Sequence, residues 1–234
     1  MAAAFFGAAF VRGYSGFGFA ALVVSAASLV SDPFLFVPVV LVLDLVLIAQ
    51  QAPDIRHEVD WRRVAALSVG ACLGVPLGVW ALLVVGADAA RVALSLYILA
   101  MCGLLLAGAR FARPAGMAAH GGLGVISGLA NSAAVGGLPV VVFFAAQPIA
   151  AAAFRATLIA YFSFLDLLTI PALWAAGLFG KDTLIGALAA LPMVVAGIWA
   201  GTRAFRRGNP QGFRRLAIGL LAFLAILGLL RGLW

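Results

Sequence analysis

The sequence predicts an all-α integral membrane protein of two inverted repeats. Each repeat is a broken or re-entrant helix pair followed by three transmembrane helices. Three observations carry this expectation: the composition, a glycine-broken apolar stretch that occurs twice, and the placement of arginine and lysine in the loops.

Of the 234 residues, 65% are hydrophobic and only 10% are charged, and the mean hydropathy is +1.18. A soluble domain is roughly half apolar and about a quarter charged, so the chain belongs in a bilayer. Its length suits about seven or eight spans with short loops, leaving nothing for a soluble catalytic domain. A net charge of +7 would suggest a nucleic-acid partner in a soluble protein. Here the basic residues sit in short loops, where they act as topology signals, and no nucleic-acid partner is expected. Cys72 and Cys102 lie in apolar segments. Their spacing suits neither a metal site nor a disulfide framework, and free cysteine packs as a small hydrophobe. No cofactor is expected. The opening MAAAFFGAAF lacks the basic region of a signal peptide and is read as part of the fold.

The broken stretch is first VRGYSGFGFAALVV, Val11 to Val24, and then GVISGLANSAAVGGLPVVVFF, Gly124 to Phe144. Each is apolar enough for a bilayer yet carries glycine and small polar residues at its middle. Non-helical backbone at that depth is tolerated only where protein buries it or where it lines a wet cavity. Paired interrupted segments in corresponding positions of two halves point to a transporter's substrate site.

Between and after the breaks the expected spans are Phe34 to Gln50, Val64 to Val85 and Ala90 to Gly108. The second half gives Ala151 to Trp174, Leu184 to Ala204 and Leu216 to Leu230. Asp32-Pro33 closes the first broken unit, because the residue before proline is pushed out of the helical region. Gly70, Gly74 and Gly78 form a small-xxx-small ridge suited to close helix contact. The repeats are placed at 1–112 and 113–234. Three matches in common order support the duplication: Ser15-Gly16 with Ser127-Gly128, Leu43-Asp44-Leu45 with Leu165-Asp166-Leu167, and Gly78-Val79-Trp80 with Gly197-Ile198-Trp199.

Loop charge decides how the broken units lie. Were each a continuous span, the two sides of the membrane would carry seven basic residues each. As re-entrant hairpins they put eleven on one side: Arg56, Arg62, Arg63, Arg110, Arg113, Arg155 and the five arginines between Arg203 and Arg215. The other side keeps Arg91, Lys181 and Arg231. A bias of that size marks the cytoplasmic face. The expected location is the inner (plasma) membrane, multi-pass, with both termini outside the cytoplasm.

Helix N-termini at the breaks would present backbone N–H groups and about half a positive charge to an anion. The candidate binding residues are Arg12, Gly13, Tyr14, Ser15, Gly16, Phe17 and Gly18 in the first half. In the second they are Ser127, Asn131, Ser132, Gly136, Gly137, Arg155 and Tyr161. Glycine admits close backbone approach, the small polar side chains donate hydrogen bonds, and the planar fork of arginine suits oxyanions. The same glycines could serve helix packing alone. An arginine inside a bilayer normally faces a cavity or a partner, which singles out Arg12; Arg155 either joins the site or snorkels to the surface. Asp44 and Asp166, mid-span in matching positions, are candidate coupling residues or a structural buried pair. Tyr161 is left open between cavity and interface, and His57 and His120 are expected to be solvated in loops.

GYSGFGF (13–19), GLANSAAVGGLPVVVFF (128–144), FRATLIAYF (154–162) and Asp60-Trp61-Arg62-Arg63 together resemble the TauE/SafE family of sulfite and sulfonate permeases over nearly the whole chain. The resemblance implies a secondary transporter for small sulfur-containing or organic anions, such as sulfite, sulfonates or sulfoacetate. Many members carry three glycines and then a proline in the broken motifs. The first copy here has only GFGF, and the second has Gly136-Gly137-Leu138-Pro139. An anion channel could use the same dipoles. A membrane enzyme would need a nucleophile, metal set or acid pair, and no HExxH or GxSxG occurs. The partners implied are a small anion and the lipid bilayer, with a homo-oligomer left open.

Overall fold

The computed structural model describes residues 1–29, 33–55, 57–85, 87–108, 110, 111 and 115–205, with 219, 222, 223 and 226 beyond them. The expected last span and most of the Arg203–Arg215 loop lie outside the described residues. Within them every regular element is helical: α1 (Ala2–Ser15), α2 (Phe19–Ser28), a 3-10 turn (Pro33–Phe36), α3 (Val37–Ile55), α4 (Trp61–Val84), α5 (Ala87–Ala107), α6 (Met117–Asn131), α7 (Gly137–Ala145), α8 (Ala151–Ala175) and α9 (Lys181–Phe205).

Four helices among the described residues are long and apolar enough to cross a membrane: Phe34–Gln51, Trp61–Val84, Ala153–Ala175 and Lys181–Ala204. α3 and α8 bury more of their length than α4 and α9, so they form the centre of the bundle. The outer helices turn large apolar residues outward, Val69, Leu73, Leu77 and Trp80 on α4 and Ile185, Leu188 and Trp199 on α9. In water such a surface would drive association; in a bilayer it meets lipid.

Both interrupted segments turn back on themselves. Gly16 caps α1 at φ +83° and Gly18 precedes α2 at φ +94°. That left-handed region costs glycine little and other residues more. The rings of Phe5 and Phe19 then lie 6.5 Å apart, whereas along one continuous helix they would be separated by about 21 Å. The second break is tied by Ser127, whose Oγ donates to the Gly136 carbonyl at 2.6 Å. Reversal there brings His120 of α6 edge-on to Phe143 and Phe144 of α7, with centroids 5.2 and 5.7 Å apart. Pro139 falls in the first turn of α7, where no intrahelical donor is needed.

The glycine ridge of α4 fits α6. A Cβ on Gly70, Gly74 or Gly78 would strike the carbonyls of Gly121, Val125 or Leu129, and one on Gly124 would strike that of Leu67. The two backbones therefore touch along three turns, as small-xxx-small contacts in membranes do. α1 packs on α9 in the same manner, with Gly13 and Gly201 at the contact. Each half thus lends its first helix to a partner in the other half.

Directions follow from the residues lining two cavities at opposite ends of the bundle. One end gathers Gln51, Arg155 and Arg203, the close of α3, the start of α8 and the close of α9. The opposite end gathers Val37, Val85, Leu173 and Asp182. α3 and α8 therefore run antiparallel, as do α4 and α9. At the start of α4, Asp60 caps the helix by accepting from the Arg63 amide at 3.2 Å, and its own amide donates to Thr157 Oγ1 of α8 at 3.0 Å. The motif 60–63 thus locks the loop onto the central helix.

One expectation is overturned here. His120 is not a solvated loop residue: it sits in α6, fully buried, with Nδ1 2.9 Å from the Gly116 carbonyl. α6 begins at Met117, so His120 closes its first turn, where its ring is held between Phe143 and Phe144 of α7. His57 is exposed in a turn, as expected.

Candidate functional site

The two reversals meet at the centre of the bundle and enclose a cavity of about 40 Å³. That is room for a few water-sized groups, each needing roughly 10–15 Å³. Phe17, Gly18, Ala20 and Ala21 line it from the first break and the start of α2. Asn131, Ala134, Val135, Gly137 and Leu138 line it from the second break and the start of α7. Arg12, Leu41, Asp44, Phe162, Leu165 and Asp166 complete the wall. Both short helices thus aim their N-terminal turns, and the partial positive charge there, at the same small space. Ala134 stands at φ 57°, the one non-glycine residue with positive φ among those described.

Arg12 is the dominant group. Its side chain is 2% exposed, and Nη1 donates to Asp44 Oδ2 at 3.0 Å and lies 2.9 Å from Oδ1. Nε and Nη2 have no protein partner. The guanidinium carbon stands 5.9 Å from the centre of the Phe162 ring. A buried cation with one edge paired and the other edge unused is costly unless something else satisfies it. Asp166 adjoins Asp44 and feels the charge of Arg12. Asn131 Nδ2 reaches Asp166 Oδ1 at 3.4 Å and Thr169 Oγ1 at 2.9 Å. Two carboxyls therefore face one guanidinium.

The remaining expected site residues divide clearly. Gly13 turns to α9, where a Cβ would lie 2.6 Å from the Ile198 carbonyl. It serves helix contact, and Tyr14 is buried away from the cavity. Gly16 supports the reversal, and the side chain of Ser15 lies outside the described residues. Ser127 holds Gly136 and accepts from the Tyr161 hydroxyl at 2.9 Å. Tyr161 is therefore a buried brace of the second break, neither a wall of the cavity nor an interface anchor. Ser132 donates to the Leu129 carbonyl at 2.8 Å and finishes α6. Gly137 admits Phe162, whose ring would be 2.9 Å from an added Cβ. Arg155 is not at the central cavity; its stem rests on Gly16, 3.4 Å from where a Cβ would be, and its head lines the cavity at the basic end.

Phe162 and Thr169 were missed. Both share a helical face with Asp166, at spacings of four and three residues, and such neighbours project together. That spacing around a mid-span aspartate was the available signal. No group of three or more metal-ligating side chains occurs among the described residues.

Helices long enough to span a membrane, together with two reversed pairs of shorter helices that meet at a buried charged cavity, define a multi-pass membrane protein of the transporter class. The sequence matches the family described as Sulfite exporter TauE/SafE over residues 1–227, and the chain belongs to that family. No curated protein and no solved structure matches it.

Proposed function

We propose that the protein is a secondary carrier for a small sulfur-containing or organic oxyanion, sulfite first, bound in the central cavity. The family description names sulfite export. The observation that carries the reading is the free edge of Arg12: Nε and Nη2 are buried beside two helix N-termini without a protein partner. That edge of the fork matches two oxygens of an oxyanion. Asp44 holds the opposite edge and fixes the guanidinium in place.

The two halves act as inverted repeats about this point, with α3 and α8 as counterparts running in opposite directions. Alternating access then amounts to rocking one half against the other around a fixed site. The excess of basic residues puts the end bearing Arg155 and Arg203 in the cytoplasm. A single cysteine at position 57, introduced as His57→Cys into a background lacking Cys72 and Cys102, should react with an impermeant maleimide only in inside-out vesicles. Labelling from the outside of intact cells would reverse the topology.

Two carboxyls beside one guanidinium leave one negative charge in excess when both are ionised. A proton on Asp166 would cancel it, and its charged or titratable neighbours are Arg12, Asp44 and Tyr161. Purified protein in proteoliposomes should take up sulfite saturably, with a rate that depends on pH. Asp166→Asn, which keeps the shape and removes the titration, should flatten that dependence while sparing sulfite exchange. Absence of saturable uptake, or single-channel currents in its place, would remove the carrier reading. An unchanged pH profile in the variant would make Asp166 structural.

A further inference from the structure

The bundle holds a second polar cavity, of about 360 Å³, at its basic end. Gln51, Arg155, Thr202 and Arg203 line it, with Trp199 at the rim, and no carboxylate is among its described walls. Arg203 stacks on Trp199, its guanidinium carbon 5.5 Å from the ring centre. Snorkelling to the membrane surface would account for that pair. It does not account for Gln51. That side chain is 6% exposed, yet neither its Oε1 nor its Nε2 has a protein partner. A buried amide left unmatched loses the hydrogen bonds that water gave it, so a hydrated or anion-filled cavity is its natural complement.

Only the first reversal separates this cavity from the central one. The stem of Arg155 lies on Gly16, and Gly18, two residues on, lines the central site. Arg155 precedes Phe162 by seven residues of α8, about 10 Å along the helix axis. The first reversal is therefore the partition between the two spaces.

We propose that this basic-end cavity is a capture site, where a small oxyanion rests between Arg155 and Arg203, with Gln51 donating, before it passes the first reversal to Arg12. The site rests on the reading of the central cavity as an anion site and adds a station in front of it. Clefts lined by one sign of charge concentrate oppositely charged ligands. The phosphate of an anionic lipid has the same chemistry, so the test separates the two sources.

The full-length protein in nanodiscs of neutral phosphatidylcholine is treated with phenylglyoxal, which modifies arginine, and each arginine is followed by peptide mass spectrometry. Sulfite should slow modification of Arg155 and Arg203 saturably relative to exposed Arg62, which corrects for reagent lost as the bisulfite adduct of its aldehyde, and sodium chloride at equal ionic strength should not. Gln51→Leu should weaken that protection roughly tenfold or more, the loss expected for one hydrogen bond to an anion. Unchanged modification of both arginines relative to Arg62 in sulfite would overturn the proposal. So would protection conferred only by adding phosphatidylglycerol, which would make the cavity a lipid site. Sulfite uptake by the same protein in proteoliposomes tells the two readings apart: uptake without protection sinks the capture site, and protection without uptake sinks the carrier while keeping the site.

Discussion

Arg12→Lys is expected to weaken sulfite binding by roughly ten- to a hundredfold, the equivalent of about 1.5–3 kcal/mol for a hydrogen bond to a charged group, with the protein still folded. Lysine keeps the positive charge and one contact to Asp44, and it loses the second edge that faces the cavity. An ammonium is a point charge and cannot offer a planar pair of donors. Removing the side chain altogether tests something else. Arg12→Ala would strand Asp44, and breaking one partner of a buried pair costs about 3–5 kcal/mol. Against a total stability of about 5–15 kcal/mol, that loss would confuse binding with unfolding. The comparison is therefore a titration of sulfite against wild type and Arg12→Lys, read by thermal stabilisation of detergent-purified protein, because a ligand bound only to the native state raises its apparent stability. Equal affinities would take Arg12 out of the site.

Gly74→Val is expected to leave no folded protein. The added Cβ would overlap the carbonyl oxygen of Val125 and stand 2.9 Å from the Leu129 amide nitrogen. Both are backbone atoms of α6, so no rotamer can relieve the clash. Ordinary overpacking costs about 1–3 kcal/mol because neighbouring side chains shift. Here α4 and α6 must separate as units, and the contacts at Gly70, Gly78, Gly124 and Gly128 would open with them. The matched control is Gly103→Val on α5, where an added Cβ meets nothing within 4 Å; it should elute like wild type. Size-exclusion profiles of the detergent-extracted variants decide. A monodisperse Gly74→Val protein with wild-type thermal stability would mean that close backbone contact is dispensable.

The reversals and the charged residues between them were legible because their causes are local. Gly16 and Gly18 take backbone angles that few other residues take, and a proline after Gly136-Gly137 can only begin a helix. The ridge Gly70, Gly74, Gly78 announced a close contact from spacing alone. What it touched was not announced, since Gly124 and Leu129 of α6 lie about fifty residues further along the chain. The same limit misplaced Gly13, whose position inside the first motif suggested a ligand while its neighbour is α9. It also misplaced His120, because a glycine-rich run beside a histidine reads as loop until Phe143 and Phe144 of α7 supply a surface for the ring.

Asp44 and Asp166 were equivalent in sequence, each a single carboxyl in the middle of an apolar span. Only the folded bundle distinguishes them, giving Asp44 the Nη1 edge of Arg12 and Asp166 the amide of Asn131. Local sequence determined where the backbone must break and how far each helix could run, because dihedral freedom and hydropathy belong to individual residues. Tertiary structure alone decided which buried polar group meets which, because a charge withdrawn from water takes whatever partner the packing of distant helices brings within about 3 Å.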